Sequence, residues 1–390
     1  MDNIKKVPAL RFPEFSGEWE EEKLEQLADI TTGNKDTQNK VDEGIYPFFV
    51  RSQTVEKINS FSYDGEAILT SGDGVGVGKN FHYINGKFDY HQRVYCIFKF
   101  KNQVLGKYIY FYFSEKFNKR VMRMSAKNSV DSVRRDMVTK MPICIPILSE
   151  QKKVSDFLTQ TNNKIEQLSK KKQLLESYKK GSMQKIFSQE LRFKDDEGKD
   201  YPDWEEKKLV EIATFHRGAN LSKSDLVDNG NTECVHYGEL FTMYDEIIKS
   251  VTSSTNNKEG VKSKSGDILM PSSDVTPQGL GRASALMKDD VLLGGDINIV
   301  RSNKDIDSIF LSYLINYDKN KVIRLVTGTT VKHIYTKDLK TISINLPSLI
   351  EEQTKIANFL TEIDNKINLV EKQLSDTKKY KKGLLQQMFV

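Results

Sequence analysis

A run of glycines ending in lysine, Gly72-Asp73-Gly74-Val75-Gly76-Val77-Gly78-Lys79, is the first feature of this chain that could carry chemistry, since such loops cradle phosphate with backbone N–H groups. It departs from the nucleotide-binding pattern twice. Gly72 stands one position too far from Lys79, and Asn80 occupies the place where Ser or Thr would hold Mg2+. Two readings remain, a plain glycine turn and a loop that approaches a DNA backbone. A second feature, Pro202-Asp203 followed by Glu205-Glu206-Lys207, resembles the pieces of a nuclease metal site. Such sites gather two separated strands around the ion, which neighbours on one segment cannot do. A solvated acidic linker is the better reading, and Gly17-Glu18 at the corresponding place earlier in the chain agrees with it.

The histidines His82, His91, His216, His236 and His333 have no ligand spacing, and Cys96, Cys144 and Cys234 form no CxxC pair. No Asn- or Asp-Pro-Pro-aromatic segment is present to grip a flipped base. The expectation is therefore no catalytic residue and no metal in this chain.

What remains is nucleic-acid contact from stretches where cations and amides mix with aromatic residues. In the first half these read as loops and supply Arg51, Lys79, Asn80, His82, His91, Gln92 and Arg93, then Lys127, Asn128, Arg134 and Arg135 within residues 120–135. In the second half they supply Arg217, His236, Tyr237, Ser272, Ser273, Gln278, Arg282, Arg324, Thr329, Thr330, Lys332, His333 and Tyr335. Arginine grips guanine edges, Asn and Gln suit adenine, and lysine anchors phosphate. For each residue a solvated surface role is the competing reading, and Arg120 and Arg123 read equally well as the wet face of a helix.

Composition permits this reading without demanding it. The 390 residues carry 59 Lys plus Arg against 54 Asp plus Glu, a formal charge of +5, so DNA contact has to come from local clustering. Cysteine usage suits a reducing cytosol, and neither a membrane-spanning run nor a signal-peptide core is evident, so a cytoplasmic protein is expected.

The elements that would position these residues are written twice. Leu10-Arg11-Phe12 with Trp19-Glu20-Glu21-Glu22-Lys23-Leu24 returns as Leu191-Arg192-Phe193 with Trp204-Glu205-Glu206-Lys207-Lys208-Leu209, and these are the only two tryptophans. At a constant offset of 202, Glu150-Gln151, Phe157-Leu158, Lys164-Ile165 and Tyr178-Lys179-Lys180-Gly181 return as Glu352-Gln353, Phe359-Leu360, Lys366-Ile367 and Tyr380-Lys381-Lys382-Gly383. A recurring amphipathic helix does not account for that register or for the shared Phe187 and Phe389.

Each repeated tail predicts a long helix. Ile356, Leu360, Ile363, Ile367, Val370 and Leu374 step by four and three, as a coiled-coil seam does, and Val154, Leu158, Ile165, Leu168 and Leu175 keep the same phase less cleanly. So narrow a stripe needs a partner, and the simplest arrangement is one antiparallel coiled coil with an internal pseudo-twofold. The first helix carries nine Lys against three acids over residues 151–187, which fits DNA phosphates, a docked subunit or plain solvent alike.

Between the repeated ends lie short branched and aromatic runs at 46–50, 67–70 and 93–98, then at 234–237, 267–270, 291–293 and 297–300. A short aromatic helix follows in each half, at 108–117 and 309–317. The fold expected is α/β (α+β), organised as a globule over 1–148, a helix over 149–188, a linker and second globule over 189–348, and a helix over 349–390.

On Tyr46-Pro47-Phe48-Phe49-Val50-Arg51, on Gly65-Glu66-Ala67-Ile68-Leu69-Thr70 with Gly266-Asp267-Ile268-Leu269-Met270, and on Ile145-Pro146-Ile147-Leu148-Ser149-Glu150-Gln151 with Leu346-Pro347-Ser348-Leu349-Ile350-Glu351-Glu352-Gln353, the chain resembles the specificity subunits of type I restriction-modification enzymes. The resemblance implies a non-catalytic subunit with two target-recognition domains, each reading half of a split double-stranded DNA site, with the helices setting the gap. It also implies two modification subunits that bring S-adenosylmethionine and methylate adenine, and restriction subunits that bring ATP and Mg2+. The rivals are a restriction-methyltransferase fusion, disfavoured by the missing motifs, and a duplicated protein-binding scaffold without DNA specificity.

Overall fold

The computed structural model describes residues 6–125, 132–219 and 221–390. The chain forms two compact units, residues 1–171 with 370–390, and residues 172–369.

In the first unit the elements run β1 (Glu20–Lys23), α1 (Leu24–Leu27), β2 (Asp29–Thr32), β3 (Tyr46–Phe49), β4 (Val55–Ile58), β5 (Tyr63–Ser71), β6 (Phe81–Tyr90) and β7 (Val94–Phe98). Then come α2 (Gly106–Met124), α3 (Arg135–Thr139), β8 (Pro142–Ile145) and the long α4 (Leu148–Phe187). Six strands form one sheet in the order β2-β7-β5-β6-β3-β4, and β1 pairs with β8 apart from it. The last five residues of β5, Ala67 to Ser71, are all buried, as a central strand covered on both faces requires. Helix α2 lays Tyr108, Ile109, Tyr112, Phe113 and Phe117 on that core.

The second unit runs β9 (Glu205–Lys208), α5 (Leu209–Ile212), β10 (Ala213–Arg217), β11 (Thr232–Val235), α6 (Glu239–Thr242), β12 (Ile247–Ile248), β13 (Ser253–Thr255), β14 (Asp267–Pro271) and β15 (Ser273–Asp274). It continues α7 (Pro277–Leu280), β16 (Ser284–Leu286), β17 (Leu292–Leu293), β18 (Ile297–Ser302), α8 (Ser308–Tyr317), α9 (Lys319–Ile323), β19 (Lys332–His333), α10 (Thr336–Leu339), β20 (Ser343–Leu346) and the long α11 (Ile350–Met388). Its main sheet has the order β10-β18-β14-β16-β12, with β13-β11-β17 beside it. Strand β14 is buried throughout, and β9 pairs with β20 in the register that β1 keeps with β8, Glu205 facing Leu346 as Glu20 faces Ile145.

The duplicated motifs turn out to be the joints of each unit. Arg11 donates to both oxygens of buried Glu150 at 2.8 Å, and Arg192 repeats this on buried Glu352 at 3.2 and 2.9 Å. The side-chain amide of Gln151 accepts from the backbone N–H of Leu105, which enters α2, and donates to the carbonyl of Pro146. Gln353 does the same with Asp307, which caps α8, and Pro347. Phe12 meets Phe157 edge-on at 5.8 Å, and Phe193 meets Phe359 at 5.6 Å. Each Glu-Gln pair thus ties the start of a long helix to the segment before the first strand and to the aromatic helix of its own unit, which explains why these letters return in register.

Neither long helix belongs wholly to one unit. The end of α11 packs into the first unit, where Phe389 lies 5.6 Å from Tyr108 and 5.5 Å from Tyr112. The end of α4 packs into the second, where Phe187 lies 6.0 Å from Phe310 and 4.8 Å from Tyr317. Of the residues expected along a helix seam, Val154 and Leu158 join the core of the first unit, and Ile356, Leu360, Ile363 and Ile367 join that of the second, with Leu175 packed against it. Leu168 and Val370 are buried, Ile165 and Leu374 half-buried. In the second unit Lys179 reaches Asp364 at 2.8 Å and Glu246 at 3.0 Å, a partly buried cluster that Tyr313 completes through its hydroxyl on Asp364.

Candidate nucleic-acid interface

At the end of β5 the first unit gathers three chain segments. The N–H of Gly72 donates to the carbonyl of Arg93 at 2.7 Å, and the N–H of Val133 donates to the carbonyl of Gly72 at 2.7 Å. The glycine cluster follows as a tight turn. A Cβ on Gly76 would lie 2.7 Å from the carbonyl oxygen of Arg51 and still closer to the Asn80 amide, so only glycine lets the turn close on Arg51. Asn80 donates its amide to that same carbonyl at 2.9 Å, as does Ser71 through its hydroxyl at 3.1 Å. The turn closes on a backbone carbonyl and the Asn80 amide, which does not fit a nucleotide phosphate. Its two flanking residues, Ser71 and Asn80, hold the backbone of Arg51.

Two arginines converge there on one carboxylate. Arg51 donates through Nη1 to one oxygen of Asp73 at 3.2 Å, and Arg93 brings Nε to 3.8 Å from the other. Both arginine side chains remain exposed, 49% and 66%. Beside them Gln92 donates to Asp36 at 2.9 Å, and His91 faces the same carboxylate at 3.9 Å. His91 is buried and its Nδ1 accepts the N–H of Arg93; burial first, then the Arg51 charge, pushes its pKa below 6.5 against the opposing pull of Asp36. Lys79 and Arg134 stand exposed at the rim.

The second unit builds the same corner from different residues. The N–H of Ser272 donates to the carbonyl of Asp296 at 2.8 Å, and the N–H of Ile334 donates to the carbonyl of Ser272 at 3.0 Å. Ser272 therefore matches Gly72, Asp296 matches Arg93, and Ile334 matches Val133. Arg217 donates through Nε to the carbonyl of Gly295 at 2.9 Å and through Nη2 to Asp296 at 3.2 Å. Strand β15 pairs Ser273 with His333, whose ring stacks on exposed Tyr335 at 6.1 Å. Lys332 closes the preceding turn by donating to the carbonyls of Gly328 and Thr329. Thr329 and Thr330 are exposed, as are Gln278 on α7 and Arg324 just after α9.

Some expected contact residues have other employment. Residues 81–83, read as loop, begin the ten-residue strand β6; Asn85-Gly86 in its middle imitates a turn in sequence, but both pair with β5. His82 on that strand faces the carbonyl of Ser52 at 3.3 Å, and burial lowers its pKa. Arg282 ties the carbonyls of Phe241 and Tyr244 at 2.7 and 3.4 Å, and Arg135 that of Ile30 at 3.1 Å. Arg120 holds the carbonyls of Met137 and Lys140. His236 accepts the Gly238 N–H on Nδ1 and packs on Tyr237 at 4.5 Å, with burial again lowering its pKa. Lys127 and Asn128 lie outside the described residues. The carboxylates Asp73, Asp36 and Asp296 carry no signal in the sequence, because acids count against DNA contact; only Asp73, inside the glycine cluster, offers a hint.

Among the described residues no group of three or more His, Cys, Asp or Glu is placed to hold a metal, and no helix is long and apolar enough to cross a membrane. The cysteines are buried, with burial pushing the thiols of Cys96 and Cys234 up to about 12 and about 11.

Compared with known proteins, the chain matches the family described as type I restriction modification DNA specificity domain over residues 16–177 and again over 201–377. The type I restriction enzyme MjaVIII specificity subunit of Methanocaldococcus jannaschii is 27% identical over 412 aligned positions, covering 98% of this chain and 94% of that protein. The EcoDI specificity subunit of Escherichia coli is 28% identical over 142 residues, 36% of this chain and 30% of that one. In fold the chain is similar to the crystal structure of a type I restriction-modification S subunit from M. genitalium, with a TM-score of 0.70 at 15% identity, covering 98% and 99% of the two chains. It is also similar, with a TM-score of 0.55 at 14% identity and 95% and 97% coverage, to a chain from a structure concerned with complex assembly and conformational transition of the type I R-M system.

Proposed function

This chain belongs to the type I restriction-modification DNA specificity family, carrying that domain twice, and from this we propose that it reads a bipartite double-stranded DNA site on behalf of modification and restriction subunits. The observation that carries the reading is the pair of equivalent corners, Gly72-Arg93-Val133 and Ser272-Asp296-Ile334, each gathering three segments and presenting arginine at its surface. One backbone frame bearing different side chains is what a duplicated reader of two different half-sites needs. Guanidinium groups suit guanine O6 and N7, Gln92 suits adenine, and Lys79 suits phosphate.

In this reading the chain does no chemistry. S-adenosylmethionine would belong to two adenine-methylating modification subunits, and ATP with Mg2+ to restriction subunits, all working in the cytosol. The 40-residue α4 and 39-residue α11 would pair as an antiparallel spacer that sets the gap between half-sites.

The test uses the purified chain, modification subunits and S-adenosylmethionine on duplex DNA. Sequence-selective adenine methylation that requires this chain, with none from the chain alone, supports the reading. Methylation by the lone chain would overturn it, as would selectivity unchanged when the chain is omitted.

A further inference from the structure

Each corner contains an acid, which on electrostatics alone disfavours DNA phosphate. Asp73 lies between Arg51 and Arg93, offering one oxygen to each, and the backbones of both arginines are independently pinned, Arg51 by Ser71 and Asn80, Arg93 by Gly72 and His91. An arginine on a flexible stem loses rotamer freedom when it grips a base, so fixing it beforehand lowers that cost. Arg93 approaches Asp73 through Nε, which leaves its terminal pair of nitrogens for a second acceptor. That pair matches the O6 and N7 edge of guanine in the major groove.

The second unit again pairs an acid with an arginine, from different positions. Asp296 occupies the place of Arg93, and its partner Arg217 comes from the end of β10. The second corner thus draws its guanidinium from a different segment of the fold than either arginine of the first.

Resting on the DNA-reading function proposed above, we infer that Asp73 and Asp296 are positioning residues that set base specificity by orienting Arg51 and Arg93 in one unit and Arg217 in the other. A carboxylate near DNA repels phosphate, so its removal strengthens sequence-independent binding while it disorders the fork that reads the base. These opposite signs separate positioning from general support of the loop.

The experiment measures binding of the complex assembled with modification subunits to its mapped target, to duplexes altered in either half-site, and to an unrelated duplex. Asp73→Asn is expected to reduce discrimination within one half-site by roughly tenfold, leave the other unchanged and tighten unrelated binding by about twofold at low salt. Asp296→Asn is expected to do the same to the opposite half. Asp73→Glu, which keeps the charge and lets both contacts form again, is expected to retain most of the discrimination. The inference is overturned if discrimination is untouched by Asp73→Asn, if specific and unrelated binding fall together, or if the Glu and Asn variants lose discrimination equally. A wild-type complex that selects no sequence would instead refute the DNA-reading function itself.

Discussion

Arg192 holds both oxygens of Glu352 across 160 residues of sequence, and the carboxylate it holds is only 1% exposed. Removing the arginine strands a buried charge, which costs about 3–5 kcal/mol in a well-buried pair. Arg192 is itself 22% exposed, so Arg192→Ala is expected at the lower end, about 3 kcal/mol. Urea denaturation of the second unit's transition checks this, and a loss below about 1 kcal/mol would show that solvent satisfies Glu352.

The end of α11 is expected to stabilise the first unit directly. Phe389 is 2% exposed against Tyr108 and Tyr112, so Phe389→Ala should cost about 3–5 kcal/mol. Phe187, half-buried at the matching place in the second unit, should cost less on truncation. Equal, small effects in thermal denaturation would mean that the helix ends are dispensable to the cores.

Stability is expected to fall as pH drops below about 6.5. His91, His82 and His236 all have pKa values pushed below 6.5, with burial the leading cause in each. Below 6.5 the unfolded chain therefore binds more protons than the folded one, and stability rises with pH through that window. Protonated His91 can no longer accept the Arg93 N–H at 2.9 Å, so the Arg93 segment should loosen first. Denaturation midpoints at pH 7.5 and 5.5 check the sign, and His91→Asn should shrink the difference. An increase in stability towards pH 5.5 would contradict it.

The duplication and the long helices were legible in sequence because their letters do structural work. The Glu-Gln pairs and Leu-Arg-Phe segments are joints fixed by hydrogen bonds and ring contacts, so both copies keep them. Central strands were legible where burial on both faces demands apolar runs, as at Ala67 to Ser71 and in β14. The run at 234–237 pointed two residues past β11, which spans Thr232–Val235, because Thr232 and Glu233 look polar while His236 and Tyr237 look strand-like. The candidate site was legible as a set of segments but not residue by residue. Arginine has the same letter whether it ties off a carbonyl, as Arg282 and Arg135 do, or stands largely exposed at a corner beside a carboxylate, as Arg93 does beside Asp73. That difference lies in tertiary geometry alone.

Independent reading by the two units predicts the outcome of exchanging residues 209–348 for the matching domain of another specificity subunit. One half of the recognised site should change and the other persist. Simultaneous change of both halves in the selected sequences would show that the units do not read separately.

The most direct measurement is a map of methylated adenines in cells that supply modification subunits together with this chain, its Arg93→Ala variant or its Arg217→Ala variant. Each arginine stands largely exposed at the corner of a different unit, 66% and 54%. The wild-type chain should direct methylation to a split motif, with Arg93→Ala relaxing bases in one half only and Arg217→Ala in the other half only. A motif that does not depend on this chain, or a single substitution that relaxes both halves, would contradict the assignment of one half-site to each unit.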